Sequence, residues 1–239
     1  MQALLLAGGK GIRLRPFTYL MPKPMLPVGD MPLLEVIVRQ LAEHGVDHII
    51  LALNYKAKLI QDYFGAGRRY GVDISYFMEK EYLGTAGCIA HLEEELDDDF
   101  IVMNADILAD LDFNAFFKHH VDARAHVSMV VRSLDIDLEY GVVELSEPGD
   151  SITTVREKPT FSYYINTGIY GLNRLVANHI ERGRPTQMTD LINLTIESGE
   201  RVVPYEFKGY WIDVGRCEDY ETVNREVQQL GFLNRIVGK

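Results

Sequence analysis

Two rhythms of apolar residues run along this chain. Through the first half, short unbroken apolar runs alternate with stretches in which apolar residues recur every three or four positions. Unbroken runs suit strands buried on both faces, and the longer period suits amphipathic helices packed over them. The pattern predicts strands over Ala3–Leu6, His48–Leu53, Ile74–Phe77 and Phe100–Met103. Helices are expected over Leu33–Glu43, closed by Gly45, and Lys56–Phe64, ending before Gly65. Then the rhythm changes. Val127–Arg132, Gly141–Leu145, Ile152–Arg156 and Tyr164–Leu172 are consecutive strand candidates, with the turn signal Pro148-Gly149-Asp150 between two of them. Helical patterns over Met188–Ser198 and Glu218–Gln229 bracket the strand-like Val202–Phe207 and Tyr210–Val214. The expected fold is α/β: a mostly parallel, Rossmann-like sheet with helices on both faces plus a small mixed β portion, in a single domain over 1–239. In such sheets ligands bind beyond the carboxyl ends of the strands, so the residues just after each strand matter most.

Composition narrows the classes. With 239 residues, 47% of them hydrophobic, the chain can bury a sizeable core. Its formal charge of −11 argues against a nucleic-acid or membrane partner, either of which would select a basic face. Cys88 and Cys217 lie far apart without a metal-ligand rhythm, which points to a reducing compartment. No apolar stretch approaches the roughly 18 residues of a membrane span, and no leader pattern opens the chain, so the expected location is the cytoplasm.

Charge is unevenly spread. The first 29 residues hold Lys10, Arg13, Arg15 and Lys23 and no acidic side chain. Within this positive island, Gly8-Gly9-Lys10-Gly11 follows the run Ala3–Ala7 directly. Glycines let backbone N–H groups approach an anion while nearby cations neutralise it, so the segment reads as a polyphosphate seat. It is neither a Rossmann fingerprint, which needs a third glycine, nor a P-loop, which ends in Gly-Lys-Ser/Thr. A plain βα turn with exposed cations is the bland alternative. Pro22-Lys23-Pro24 predicts a stiff, extended path that could aim Lys23 at a phosphate. Asp106 ends the apolar run Phe100–Met103, and Asp213 sits in Trp211-Ile212-Asp213-Val214-Gly215. Two such carboxylates suit Mg²⁺, which keeps waters and takes phosphate oxygens; each alone could equally be a helix cap or turn residue.

Taken together, Leu6-Ala7-Gly8-Gly9-Lys10-Gly11-Ile12-Arg13-Leu14-Arg15-Pro16, Lys23-Pro24-Met25, Leu83-Gly84-Thr85-Ala86-Gly87, Asn104-Ala105-Asp106, Glu157-Lys158-Pro159, Asn166-Thr167-Gly168-Ile169-Tyr170 and Trp211-Ile212-Asp213-Val214-Gly215 resemble the sugar-1-phosphate nucleotidylyltransferases. Seven weak motifs in family order make a specific signal. The resemblance implies that a sugar 1-phosphate oxygen attacks the α-phosphorus of a nucleoside triphosphate and pyrophosphate leaves. It implies catalytic roles for Arg13 and Lys23, a Mg²⁺ site on Asp106 and Asp213, and nucleotide contacts from Leu6, Ala7, Gly8, Gly9, Gly11, Glu79, Gly84 and Thr85. For the sugar phosphate it implies Gly141, Glu157, Lys158 and Asn166. Ile12 replaces a small hydroxyl residue usual in the family, and Cys217 a common proline.

Base choice is expected at Glu79, where thymidylyl and many uridylyl members carry glutamine. A carboxylate only accepts hydrogen bonds, which suits the two adjacent donors of guanine, so GTP and mannose 1-phosphate lead, in the manner of the mannose-1-phosphate guanylyltransferase branch. Uridylyl transfer to glucose, glucosamine or heptose 1-phosphate stays open. So do a non-catalytic nucleotide-sugar sensor and a glycosyltransferase using Asp110-Leu111-Asp112. Lys239 follows the last helical pattern closely, and no appended domain is expected. Apolar faces used between subunits look like core faces, so a homo-oligomer is neither predicted nor excluded. His119 and His120 are expected at a surface rather than on a metal.

Overall fold

The apolar runs become the strands of one central sheet. The structure, a computed structural model, describes residues 1–226. In chain order come β1 (Gln2–Leu6), the short pair β2 (Pro27–Val28) and β3 (Met31–Pro32), α1 (Leu33–Glu43), β4 (His48–Leu53), α2 (Ala57–Phe64), β5 (Asp73–Met78), α3 (Ile89–Leu92) and β6 (Asp99–Asn104). There follow β7 (Ile107–Ala109), α4 (Phe113–Ala123), β8 (Val127–Asp137), β9 (Val142–Leu145), β10 (Ile152–Arg156), β11 (Thr160–Asn173), α5 (Met188–Glu197), β12 (Val202–Glu206), β13 (Trp211–Asp213) and α6 (Cys217–Glu226). The part of the expected last helix from 227 to Gln229 lies outside the described residues.

Seven strands pair in the order β12-β8-β11-β6-β1-β4-β5. β1 runs parallel to both β4 and β6, β5 to β4, and β12 to β8. Only β11 is antiparallel, wedged between β6 and β8. Successive β1 residues point to opposite faces. Ala3 and Leu5 join Val36, Ile37 and Phe116 in one core, while Leu4 joins Ile89, Leu92 and Leu191 in the other. Helices therefore cover both faces, and a strand buried on both sides must be apolar throughout.

Three expectations change. β8 and β11 run beyond the sheet as a paired ribbon, from Thr160 opposite Asp137 to Asn166 opposite Val131; β9 and β10 form a separate hairpin between them. The ribbon carries Leu134 and Ile136 half-exposed among polar neighbours, so no continuous apolar run marks it. His120 is fully buried on α4 rather than at a surface. Its Nδ1 lies 2.8 Å from Ser128 Oγ and its Nε2 3.3 Å from Asp99 Oδ1, and burial pushes its pKa down. Lys23–Met25 is a 3-10 turn instead of an extended path, because the fixed φ of Pro24 also fits the first turn of a helix. Among the described residues no helix is long and apolar enough to cross a membrane.

Candidate active site

From β1 the chain crosses first to β4 on one side, and β6 pairs on the other. This reversal opens a crevice beyond the carboxyl ends of the three strands. A cavity of about 510 Å³ fills it. Leu6 lines it from the end of β1, Ala7, Gly8, Gly9 and Lys10 from the turn that follows, Asn54 from just past β4, Glu79 from just past β5, and Asp106 from the turn after β6; Lys23, Gly84 and Thr85 complete the predicted members. Asn54 was not anticipated from sequence. Its position just past an apolar strand was the available signal.

At one end of the cavity, charges of both signs converge. Lys23 is buried. Its Nζ pairs with Asp106 Oδ2 and lies 3.8 Å from Asp213 Oδ1. β13 and β7 bring the aspartates together by pairing Asp213 opposite Ile107, and the Val214 N–H donates to the Asp106 carbonyl at 2.9 Å. Arg13 reaches the same place from an exposed turn. A Cβ on Gly215 would lie 3.1 Å from its Nη2 and 3.2 Å from Asp213 Oδ1. Burial and the Asp106 charge raise the Asp213 pKa, against the opposite pull of Lys23 and Arg13.

Oδ1 of Asp106 and Oδ1 of Asp213 are both buried without a hydrogen-bond partner among the described residues. Two orphaned hard oxygens fit Mg²⁺. No group of three or more His, Cys, Asp or Glu side chains suited to a metal occurs among those residues, so such an ion would complete its shell from water and substrate.

Glu79 stands on the other side of the crevice, just past β5, with β1 and β4 between it and the strand that carries Asp106. The Glu79 backbone is fixed there, its N–H donating to the Leu53 carbonyl at 2.9 Å and its carbonyl accepting from Asn54 Nδ2 at 3.0 Å. Its carboxyl lies against Gly8, where a Cβ would sit 3.1 Å from Oε2. Burial pushes its pKa up to about 7.

Thr85 turns out to be internally engaged. Its hydroxyl accepts from the Met188 N–H at 2.7 Å and donates to Gln187 Oε1 at 3.3 Å. Gly84, at φ +76, packs on Thr186: a Cβ would fall 2.2 Å from that carbonyl oxygen. The segment before α5 therefore braces this loop, a partnership that sequence reasoning missed.

Gly11 sits behind the cavity, its carbonyl accepting from Thr18 Oγ1 at 2.9 Å. The four residues assigned to the sugar phosphate fall elsewhere. Gly141 and Glu157 meet at the base of the exposed hairpin, where a Cβ on Gly141 would lie 3.2 Å from Glu157 Oε2. Lys158 is exposed beside them in a left-handed conformation, φ 43. The Asn166 amide is spent internally, donating to Tyr170 Oη at 2.7 Å and accepting from the Gly168 N–H at 2.9 Å.

Residues 2–230 match the family described as Nucleotidyl transferase. The chain is 34% identical to a UTP–glucose-1-phosphate uridylyltransferase of Synechocystis, covering 92% of this chain and 61% of that protein. It is also 34% identical to a mannose-1-phosphate guanyltransferase of Yarrowia lipolytica, covering 92% of this chain and 62% of that one. A Bacillus anthracis structure solved with a sucrose superposes over 100% of both chains with a TM-score of 0.80 at 24% identity, the same fold. The chain spans about three-fifths of the length of these curated relatives.

Proposed function

The chain belongs to the nucleotidyl transferase family, and from that premise we propose that it transfers a nucleotidyl group from a nucleoside triphosphate to a sugar 1-phosphate, forming a nucleotide sugar and pyrophosphate. One observation carries the reading: buried Lys23 stands between Asp106 and Asp213 at the end of a cavity that begins with a glycine turn. A sugar 1-phosphate is already an anionic nucleophile, so the site needs no general base. It needs reactants held in line and charge neutralised.

Each residue has a task in this reading. The turn Leu6–Gly9, with Gly11 behind it, cradles the nucleotide through backbone N–H groups. Lys23 bridges phosphates at the reacting centre, and exposed Arg13 meets the pyrophosphate as it leaves. Asp106 and Asp213 would hold Mg²⁺, which would supply positive charge against the substrate's phosphates. Gly84 and Thr85 shape the base side of the cavity. On the exposed arm, Glu157 accepts from sugar hydroxyls, Lys158 meets the sugar phosphate, the Gly141 N–H donates, and Asn166 closes the floor. The unit acts as one domain in the cytoplasm, a setting that suits its free cysteines.

GTP and mannose 1-phosphate lead as substrates. Glu79 offers an acceptor pair to guanine, and the Yarrowia relative is named for that pairing. The Synechocystis name supports UTP and glucose 1-phosphate as a second reading. Pyrophosphate release with Mg²⁺ across GTP, UTP, dTTP, CTP and ATP, each paired with mannose, glucose, glucosamine and heptose 1-phosphates, tests both. Release that requires one nucleotide and one sugar phosphate is expected. Silence across the panel refutes the transferase reading.

A further inference from the structure

Glu79 brings a carboxyl to the cavity wall. Its backbone is pinned on both sides by Leu53 and Asn54, and its carboxyl abuts Gly8. Among the described residues that carboxyl makes no hydrogen bond and no ion pair. The groups around it are neutral or distant. Gly8 and Asn54 carry no charge. The Cys88 thiol behind it is itself pushed up to about 12 by burial, with the Glu79 charge adding to that rise. On the carboxyl's own segment, Lys80 and Glu81 are exposed, and Tyr82 Oη accepts from Gln187 Nε2. Of the charged groups lining the same cavity, Lys23 and Asp106 pair with each other and Lys10 is exposed.

We propose that this carboxyl gives one pocket two classes of nucleotide: guanine when it is ionised, and uracil or thymine when it carries its proton. The inference rests on the reading that the side of the cavity beside Glu79 receives the base. An ionised carboxylate presents two acceptors, which match the N1–H and 2-amino donors of guanine and repel a pyrimidine O4. The neutral acid presents one acceptor and one donor, as an amide would, and pairs with N3–H and O4 of uracil. Ionisation removes this carboxyl's one donor, so O4 of uracil loses its partner while the guanine donor pair gains a second acceptor. With its titration near neutrality, the switch falls in an accessible range. Guanine binding then displaces the proton, and pyrimidine binding takes one up.

The test is calorimetric titration of the intact protein with GTP and with UTP, at pH 6, 7 and 8, each in two buffers of different ionisation enthalpy. Both nucleotides carry the same titrating γ-phosphate, so the difference between them isolates the proton at the base. Expected is a GTP-to-UTP affinity ratio that rises about 100-fold from pH 6 to pH 8. GTP binding at pH 6 should release about one more proton than UTP binding does. Glu79→Gln should flatten the ratio in favour of UTP, and the wild-type profile stands alone if that variant fails to fold. Binding of both nucleotides at a ratio independent of pH, or of GTP alone throughout, overturns the switch and leaves the transferase reading intact. Binding of neither overturns both.

Discussion

Lys23 holds two carboxylates that would otherwise repel each other at close range, and in the proposed reaction the same three groups accommodate phosphates. Lys23→Ala should lower turnover by roughly 10²–10³-fold, the scale on which a preorganised charge stabilises a transition state. Pyrophosphate release measures it, and a change of a few-fold would make Lys23 a structural ion-pair partner only. Asp106→Asn should abolish Mg²⁺-dependent turnover while circular dichroism stays native; near-normal activity would remove it from the metal site. Glu79 makes a different prediction, about folding. Its pKa is raised from 4.5 to about 7, so between those values the folded state binds more proton than the unfolded one. Stability should therefore fall as pH rises through that window and level off above it. Thermal melts of Glu79→Gln should lack this fall, the variant gaining on wild type between pH 5 and pH 7 and nowhere else. Sequence exposed Lys23 through the charge island around it. It concealed the half-burial of Glu79, because Met78 and Lys80 on either side are exposed and the groups beside the carboxyl, Gly8 and Cys88 among them, come from other segments of the chain.

At the scale of elements, the loop Leu83–Gly87 acquires its shape from a segment a hundred residues later. Ala86 N–H donates to the Thr186 carbonyl and Thr186 N–H to the Leu83 carbonyl, both at 2.9 Å, while Gln187 bridges Thr85 and Tyr82. Gln187→Ala removes the bridge and leaves the backbone bonds. It should raise the nucleotide KM about threefold to tenfold, the worth of roughly one hydrogen bond, with kcat nearly unchanged. Steady-state kinetics decides, and a fall in kcat alone would contradict a positioning role. The loop itself was legible in its glycines. Its brace was not, since backbone bonds leave no mark on side-chain choice. The helices and core strands were legible for the opposite reason: α1 and β4 fall where the apolar period places them, because burial acts on side chains.

Across the whole molecule, the two ends of β11 live in different worlds. Ile169, Tyr170 and Leu172 are buried between β6 and β8, whereas Tyr163 and Tyr164 are 55% and 67% exposed on the ribbon. Hydrogen exchange should resolve the difference within one strand, with amides at Ile169–Leu172 protected to near the global unfolding limit and those at Phe161–Tyr164 exchanging much sooner. Equal protection along the strand would mean that the ribbon is anchored against something further. Strand order was the least legible property, since parallel pairing is fixed by how crossovers pack and not by any residue's polarity. The division of β11 also bears on how such a chain can diversify. Residues 138–165 leave and rejoin the sheet through a single pair of neighbouring strands, and Glu157 and Lys158 ride on that excursion. If Glu157 and Lys158 read the sugar as proposed, a lineage could exchange the whole excursion for another, inheriting a new sugar preference while the cavity beyond β1 stays untouched. A chimera joined at β8 and β11 would reproduce that event in one step.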